Sequence, residues 1–563
     1  MPEFLYLADL LRTGRAARHA VASRQTARMD FAAFERDTAA WYSAFLDHPG
    51  TRFGLFFADS YVFATALFGA WHAQKTVYLL ADVAAANVTS LASLVHGFAG
   101  DIAGAECVKP MVGAAPPQWQ PLDPQARHLV VYTSGSSGAP VGIVKRLSQL
   151  FDEVAALAQC FDARLGDAEV CTTVSHQHIY GLLFSVLWPL ACGRPFTAQR
   201  LAFAEDIVAE CSKDGGHALI ASPAHLKRLP EQLGWDAVRS KLRAVFSSGG
   251  PLPDEALPSC HELLGQTPIE VYGSSETGGV AWRQRQPGGA LTWQPLPGVA
   301  IQINDEALEV RSKHTDAEGW QTMSDRVRST GLGFELLGRL DRIVKVEEKR
   351  VSLQAVEQAL LATRLLVDVR VLVQTVRRAQ LIVVGVPSDE GWQLLESEGK
   401  AAYNVHFRSA LKAVVEPSAL PRRWRYVSGL PINAQGKTTE SALLDLFDPR
   451  RPEMRVMTRS ANAVSLQIQI APESPYFDGH FSDAPVLPGV AQLDWVALFA
   501  REFFVLPPAF QRLEVVKFQQ IIRPGMVIDM ALAVDTERGR LSFALTSVTG
   551  SHANGRFIFG SAA

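Results

Sequence analysis

YTSGSSGAPVG, residues 132–142, follows the apolar run His128–Val131. It sets Gly135, Gly138 and Gly142 among the hydroxyl side chains of Thr133, Ser134, Ser136 and Ser137. Glycines let a backbone approach a ligand closely, and the N–H groups of such a loop suit phosphate oxygens. A phosphate loop usually wants a lysine, yet Val141 stands just before Gly142 and the nearest lysine is Lys145. No G-K-[ST] follows, so the loop is not a Walker A motif, and alone it reads equally as a flexible linker.

The chain around it has 563 residues, too many for one core; roughly three to five units are expected. Hydrophobic residues make up 48% and charged residues 20%, as in ordinary globular proteins. A net charge of −3 without basic runs gives no support for nucleic-acid binding. No uninterrupted apolar stretch is long enough for a transmembrane helix, and the N-terminus does not read as a secretory signal. The six cysteines are scattered without CxxC, which disfavours zinc and points to a reducing, cytoplasmic setting.

Along residues 1–340, helical stretches alternate with short apolar strands that end in small residues: HLVVYT, ALIAS, RAVFSS and IEVYGSS. This predicts α/β layers with ligands at the carboxyl ends of the strands. A smaller unit is expected over 341–446, with strands in DRIVKVEEKRVSL, DVRVLVQ and AQLIVVGV. Residues 447–461 carry prolines and arginines without clear periodicity and read as a linker. Residues 462–563 alternate as strands around one long apolar helix between Ala484 and Phe504. The fold class is therefore multidomain, α/β followed by α+β.

Further segments, in order, give the opening loop its meaning. They are SHQHIYG (175–181), FSSGGPLP (246–253), VYGSSETG (271–278), GWQTMSD (319–325), GRLDRIVKV (338–346) and LPINAQGK (430–437). Together with the loop they resemble the ordered motifs of adenylate-forming enzymes: acyl- and aryl-CoA synthetases, peptide-synthetase adenylation domains and luciferases. The resemblance covers about residues 1–446 and implies a large N-domain and a small mobile C-domain. It implies attack of a carboxylate on ATP, then displacement of AMP by a thiol. The resemblance assigns the β- and γ-phosphates to Thr133, Ser134, Gly135, Ser136, Ser137 and Gly138, and the nucleotide turn to Gly249 and Gly250. Tyr272 and Gly273 would lie at the adenine, Ser275 at the α-phosphate, and Asp325 with Arg339 at the ribose. Glu276 would hold Mg²⁺, a hard cation that prefers oxygen. His178 and Gly181 would border the acyl pocket, Asp341 would be the hinge, and Lys437 the catalytic cation. The thiol-step loop departs from the family's K-x-x-G-x-R: it reads Lys345, Val346, Glu347, Glu348, Lys349, Arg350. Glu348 in place of glycine disfavours free CoA as acceptor.

YFDGHFSDAPVLPGVAQLDWV, 476–496, is the strongest motif of the last unit. It resembles the active-site segment of hot-dog-fold 3-hydroxyacyl-carrier-protein dehydratases, a resemblance covering about 462–563. His480 would remove the α-proton, imidazole titrating near neutrality. Asp494, kept protonated by an apolar site, would donate to the departing hydroxyl. It is read as about four turns along the helix, at roughly 3.6 residues per turn. Gly489 would open that helix and aim its N–H groups at the thioester carbonyl. The resemblance also implies a homodimer, with histidine and acid meeting across the interface. LGWDA, 233–237, looks like a carrier-protein motif, but Ala237 replaces the serine that bears phosphopantetheine. The acyl carrier protein is thus expected in trans. The expectation is a bifunctional ligase and dehydratase of a fatty-acid- or polyketide-like pathway, with an aryl acid as one candidate substrate. Rival readings are a synthetase fused to a hot-dog thioesterase, and a non-catalytic carrier-binding scaffold.

Overall fold

The computed structural model describes residues 3–24, 27–80, 82–83, 85–133, 141–227, 229–286, 289, 291–316, 319–339, 342–346, 349–375, 379–412, 414–432, 438–477, 484–504, 506–507, 509–535 and 538–560. The chain divides into two compact units, residues 1–340 with 432–437, and 341–431 with 438–563.

In the first unit, six strands run in the order Cys107–Val108, Gly97–Gly100, Arg52–Phe56, Thr76–Leu79, Leu129–Thr133, Val141–Lys145. All neighbours are parallel except the last pair, an antiparallel hairpin with Thr133 opposite Val141. The glycine-rich segment therefore bridges two antiparallel strands, not a strand and a helix as in a Walker loop. A second sheet has nine strands, with Glu169–Thr172, His217–Ala221, Leu242–Ser247 and Ile269–Ser274 parallel at its centre. These include three of the four runs whose small-residue ends marked them in the sequence.

Helices Phe31–Asp47, Ser60–His72 and Leu147–Leu165 share one buried core with both sheets. The first two begin where an aspartate can cap them. Asp30 accepts from Ala33 N at 2.9 Å, and Asp59 from Tyr61 N and Val62 N at 3.0 and 2.9 Å. Such caps satisfy amide groups that a helix start leaves without partners, worth about 1 kcal/mol each. A four-stranded antiparallel sheet, Ala300–Asn304, Ala307–Arg311, Gln321–Ser329 and Phe334–Arg339, completes the unit.

The second unit opens with the hairpin Ile343–Val346 and Lys349–Ser352. Strands Leu366–Thr375, Ala379–Pro387 and Arg423–Tyr426 follow, with helix Leu353–Leu361 and the helical segment Asp389–Leu411, broken at Gly399, where φ is +79°. The remainder is a six-stranded antiparallel sheet on the helix Gly489–Phe503. Its order is Glu453–Arg459, Ala463–Gln469, Val527–Asp535, Arg540–Ser547, Gly550–Gly560, Ala509–Phe518. Alternate residues of its strands, such as Leu466, Ile468, Met530, Leu532 and Leu545, form a core with Trp495, Val496 and Phe499. Burying each such side chain contributes about 1.5–3 kcal/mol. The hot-dog arrangement follows from this one-faced burial around a single helix.

The stretch read as a linker, 447–461, is corrected here. Residues Glu453–Arg459 are the edge strand of the sheet. Glu453 pairs with Arg425 and, at 2.5 Å, with Lys400 of the preceding subdomain. Arg455 pairs with Glu396 and lies over the Trp392 ring. An edge strand whose residues are all half-buried or exposed shows no clean alternation, so periodicity missed it.

Candidate active sites

The parallel strands of the nine-stranded sheet bring their carboxyl ends to one edge, where open α/β sheets bind ligands. His178, Gly249, Gly250, Ser275 and Glu276 all lie in segments leaving that edge. In the last segment, Ser274 and Thr277 bond reciprocally: each backbone N–H donates to the other's hydroxyl, at 3.2 and 3.1 Å. The turn thereby holds Ser275 half-exposed and Glu276 exposed at its tip. Gly273 lets the strand pass the main chain of Gly278, whose carbonyl oxygen a Cβ would strike.

Tyr272 donates its hydroxyl to Asp325 Oδ2 at 2.7 Å. Its ring is packed edge-on against Phe334 and tilted against Trp293. Asp325 comes from the separate antiparallel sheet, where its backbone pairs with Arg339. Two residues 53 apart in sequence are thus one hydrogen-bonded unit. Gly249 has φ +88°, a left-handed conformation that favours glycine, and Ser248 ties this turn to Val271 O at 2.8 Å.

His178 precedes the short helix Ile179–Leu182. Gly181 there is required by close approach, since a Cβ would strike Ser175 O. The buried core histidine is its neighbour His176, which contacts Ser60 Oγ at 2.9 Å and Phe57 O at 3.0 Å. Burial pushes His176 down to about 4, so it is neutral. Sequence reasoning singled out Lys145 as a possible substitute for the loop lysine; with Gln149, Glu153 and His314, which that reasoning missed, Lys145 lies buried beneath the Ser274–Gly279 turn. The four-residue spacing of Lys145, Gln149 and Glu153 was the available signal. Lys145 does not stand in for the loop lysine: its amine donates to the carbonyls of Glu276 and His314.

In the second unit, Lys345 and Arg350 are paired across the hairpin backbone. Gly489 is the first residue of its helix and Asp494 the sixth, less than two turns along, not four. Pro488, with ψ 142°, keeps the chain extended up to Gly489. The ring of Phe518 packs so close that a Cβ on Gly489 would come within 2.7 Å. Asp494 is exposed, so this chain alone does not supply the apolar surroundings expected for it. Tyr476 donates its hydroxyl to Asp494 Oδ2 at 2.7 Å, and burial with that carboxylate pushes the phenol up to about 12. Ser134, Gly135, Ser136, Ser137, Gly138, Asp341, Glu348, Lys437 and His480 lie outside the described residues.

The oxygen-rich edge suits a hard cation and a polyphosphate, and the phenol–carboxylate pair beside Trp293 suits a nucleoside. These features define an adenylate-forming fold followed by a hot-dog module. The chain carries an AMP-binding enzyme domain, matched over residues 75–319, and an ApeI dehydratase-like domain, matched over 456–556. The 4-coumarate–CoA ligase of Rhodobacter capsulatus is 29% identical over 55% of this chain and 74% of its own length. The fold is shared with ATP-bound MatB from Rhodopseudomonas palustris, with TM-score 0.63 and 15% identity over 78% of this chain and 98% of that one. It is also shared with O-succinylbenzoate coenzyme A synthetase from Bacillus subtilis bound to ATP and magnesium, with TM-score 0.61 and 15% identity over 78% and 99%. Among the described residues, no helix is long and apolar enough to cross a membrane.

Proposed function

We propose that this chain is a cytoplasmic bifunctional enzyme. It activates an aryl or fatty acid with ATP and Mg²⁺, passes the acyl group to a carrier-protein phosphopantetheine, and dehydrates 3-hydroxyacyl chains on such a carrier. The observation that carries the reading is the Tyr272–Asp325 unit, whose tyrosine lies on the strand Ile269–Ser274 that ends in the Glu276 turn. ATP supplies the electrophilic α-phosphate, and Mg²⁺ neutralises charge on its oxygens. Tyr272 would face adenine, Asp325 would accept from the ribose hydroxyls, Ser275 would donate to phosphate, and Glu276 would hold the metal. Lys437 would come to the reacting carboxylate as a point charge.

In the dehydratase module, His480 would take the α-proton and Asp494 would deliver a proton to the leaving hydroxyl. The exposure of Asp494, Val490 and Phe518 on one chain supports a homodimer that covers them. Glu347 and Glu348, in the sequence segment that the resemblance assigns to the thiol step, favour a carrier protein over free CoA. The intact mass of candidate carrier proteins, incubated with the enzyme, ATP, Mg²⁺ and a panel of acids, tests the first half. An acyl mass increment on a carrier is the expected result. A higher kcat/KM for CoA than for every carrier would overturn the choice of acceptor. Failure of ATP–pyrophosphate exchange with every acid would overturn the ligase reading.

A further inference from the structure

The strand after the glycine-rich segment runs directly into helix Leu147–Leu165. Across that junction Lys145, Gln149 and Glu153 are each buried, at 2%, 2% and 4% exposure. All three side chains serve one short piece of main chain and its cover. Lys145 Nζ donates to Glu276 O at 3.0 Å and to His314 O at 3.3 Å. Gln149 Nε2 donates to His314 O at 3.4 Å. Glu153 accepts from Gly279 N at 2.7 Å, and the His314 ring contacts Gly279 O through Nδ1 at 3.0 Å. The fit is tight: a Cβ on Gly278, at φ +68°, would come within 2.6 Å of Glu153 and 2.8 Å of His314.

A buried ammonium and carboxylate cost several kcal/mol of desolvation unless paired and hydrogen-bonded, and apolar residues usually stabilise a core as well. Here the charges grip the carbonyl of Glu276 itself and the amide three residues on. We propose that Lys145 is a positioning residue for Glu276. Its ammonium, braced by Gln149 and Glu153, fixes the turn that presents the Glu276 carboxylate and the Ser275 hydroxyl to the metal-bound phosphates of ATP. Lys145 acts from behind the turn, through main chain, and does not take the place of the cation missing at Val141. This rests on the reading of that turn as the Mg²⁺–ATP site.

The test is calorimetric binding to the full chain of AMP, of ATP in chelator, and of ATP with Mg²⁺. It compares the parent with Lys145→Met and with Lys145→Met combined with Glu153→Gln, which removes both buried charges. The double variant carries the test if the single one does not fold, and thermal melts report on folding. Loss of a charge-assisted anchor should cut the Mg²⁺-dependent gain in ATP affinity about tenfold, with AMP affinity within about twofold of the parent. A folded variant that keeps the full gain overturns the proposal. Equal weakening of AMP and Mg²⁺–ATP overturns it too, since that marks a merely structural role. A parent chain that binds none of these nucleotides overturns the underlying ligase reading instead.

Discussion

The hydroxyl of Tyr476 lies 2.7 Å from Oδ2 of Asp494, its ring edge-on to the buried Trp495. Trp495 is anchored in turn by its indole N–H, which donates to Arg450 O at 2.9 Å. A phenol fixed in this way holds one oxygen of the Asp494 side chain, and on the dehydratase reading the other would be left for substrate. Tyr476→Phe should lower dehydration kcat about tenfold with little change in KM, the scale of one hydrogen bond that orients the Asp494 side chain. Steady-state kinetics on a 3-hydroxyacyl thioester decides it, and an unchanged kcat would remove Tyr476 from the mechanism.

His480→Ala and Asp494→Ala should each abolish water loss. Mixed under conditions of subunit exchange, they should recover up to about half of a normal dimer's sites in the mixed species, as two-fold symmetry requires. Exchange without recovery would place both residues in one subunit's site.

Asp325→Ala should weaken AMP binding about 10- to 100-fold, because a carboxylate bonded to hydroxyls is lost. Tyr272→Phe should act more mildly, since the ring stays packed between Trp293 and Phe334. Equilibrium titration with AMP checks both. Equal, negligible effects would separate this pair from the nucleotide.

Acid should destabilise the first unit through His176 and His72, both pushed down to about 4 by burial. In the unfolded chain they take protons below about 6.5; in the fold they stay neutral. The stability they contribute is fully present above about pH 6.5 and is lost as pH falls to about 4, on the order of 3 kcal/mol each. Denaturant melts between pH 7 and 4 should show this decline, and His176→Gln should flatten part of it. A melt independent of pH in that window would contradict it.

A fragment beginning at residue 449 should fold better than one beginning at 462. The shorter one lacks Glu453–Arg459 and leaves one edge of the strand Ala463–Gln469 unpaired, its other edge still joined to Val527–Asp535, an invitation to aggregation. It also loses the Arg450 carbonyl that anchors Trp495. Gel filtration should show a single species for the longer fragment and mixed aggregates for the shorter. Equal behaviour would mean that the edge strand is dispensable.

The sequence by itself determined the two modules and the order of their motifs. The YTSGSSG, strand-end and GHF–PG motifs are local in sequence: each is recognised from residue types a few positions apart. The central strands were legible for the same reason, since runs such as HALIA and RAVFS are buried almost throughout. Tertiary structure alone decided the rest. Only packing joins Tyr272 to Asp325 across 53 residues, or sets Lys145 beneath the carbonyl of Glu276, 131 residues away. Only packing turns EMRVMTR from an apparent linker into an edge strand, because its partners are ion pairs and a neighbouring strand, not an apolar face of its own. The exposure of Asp494 belongs there as well: the periodicity of a helix tells which residues share a face, but not whether this chain covers that face.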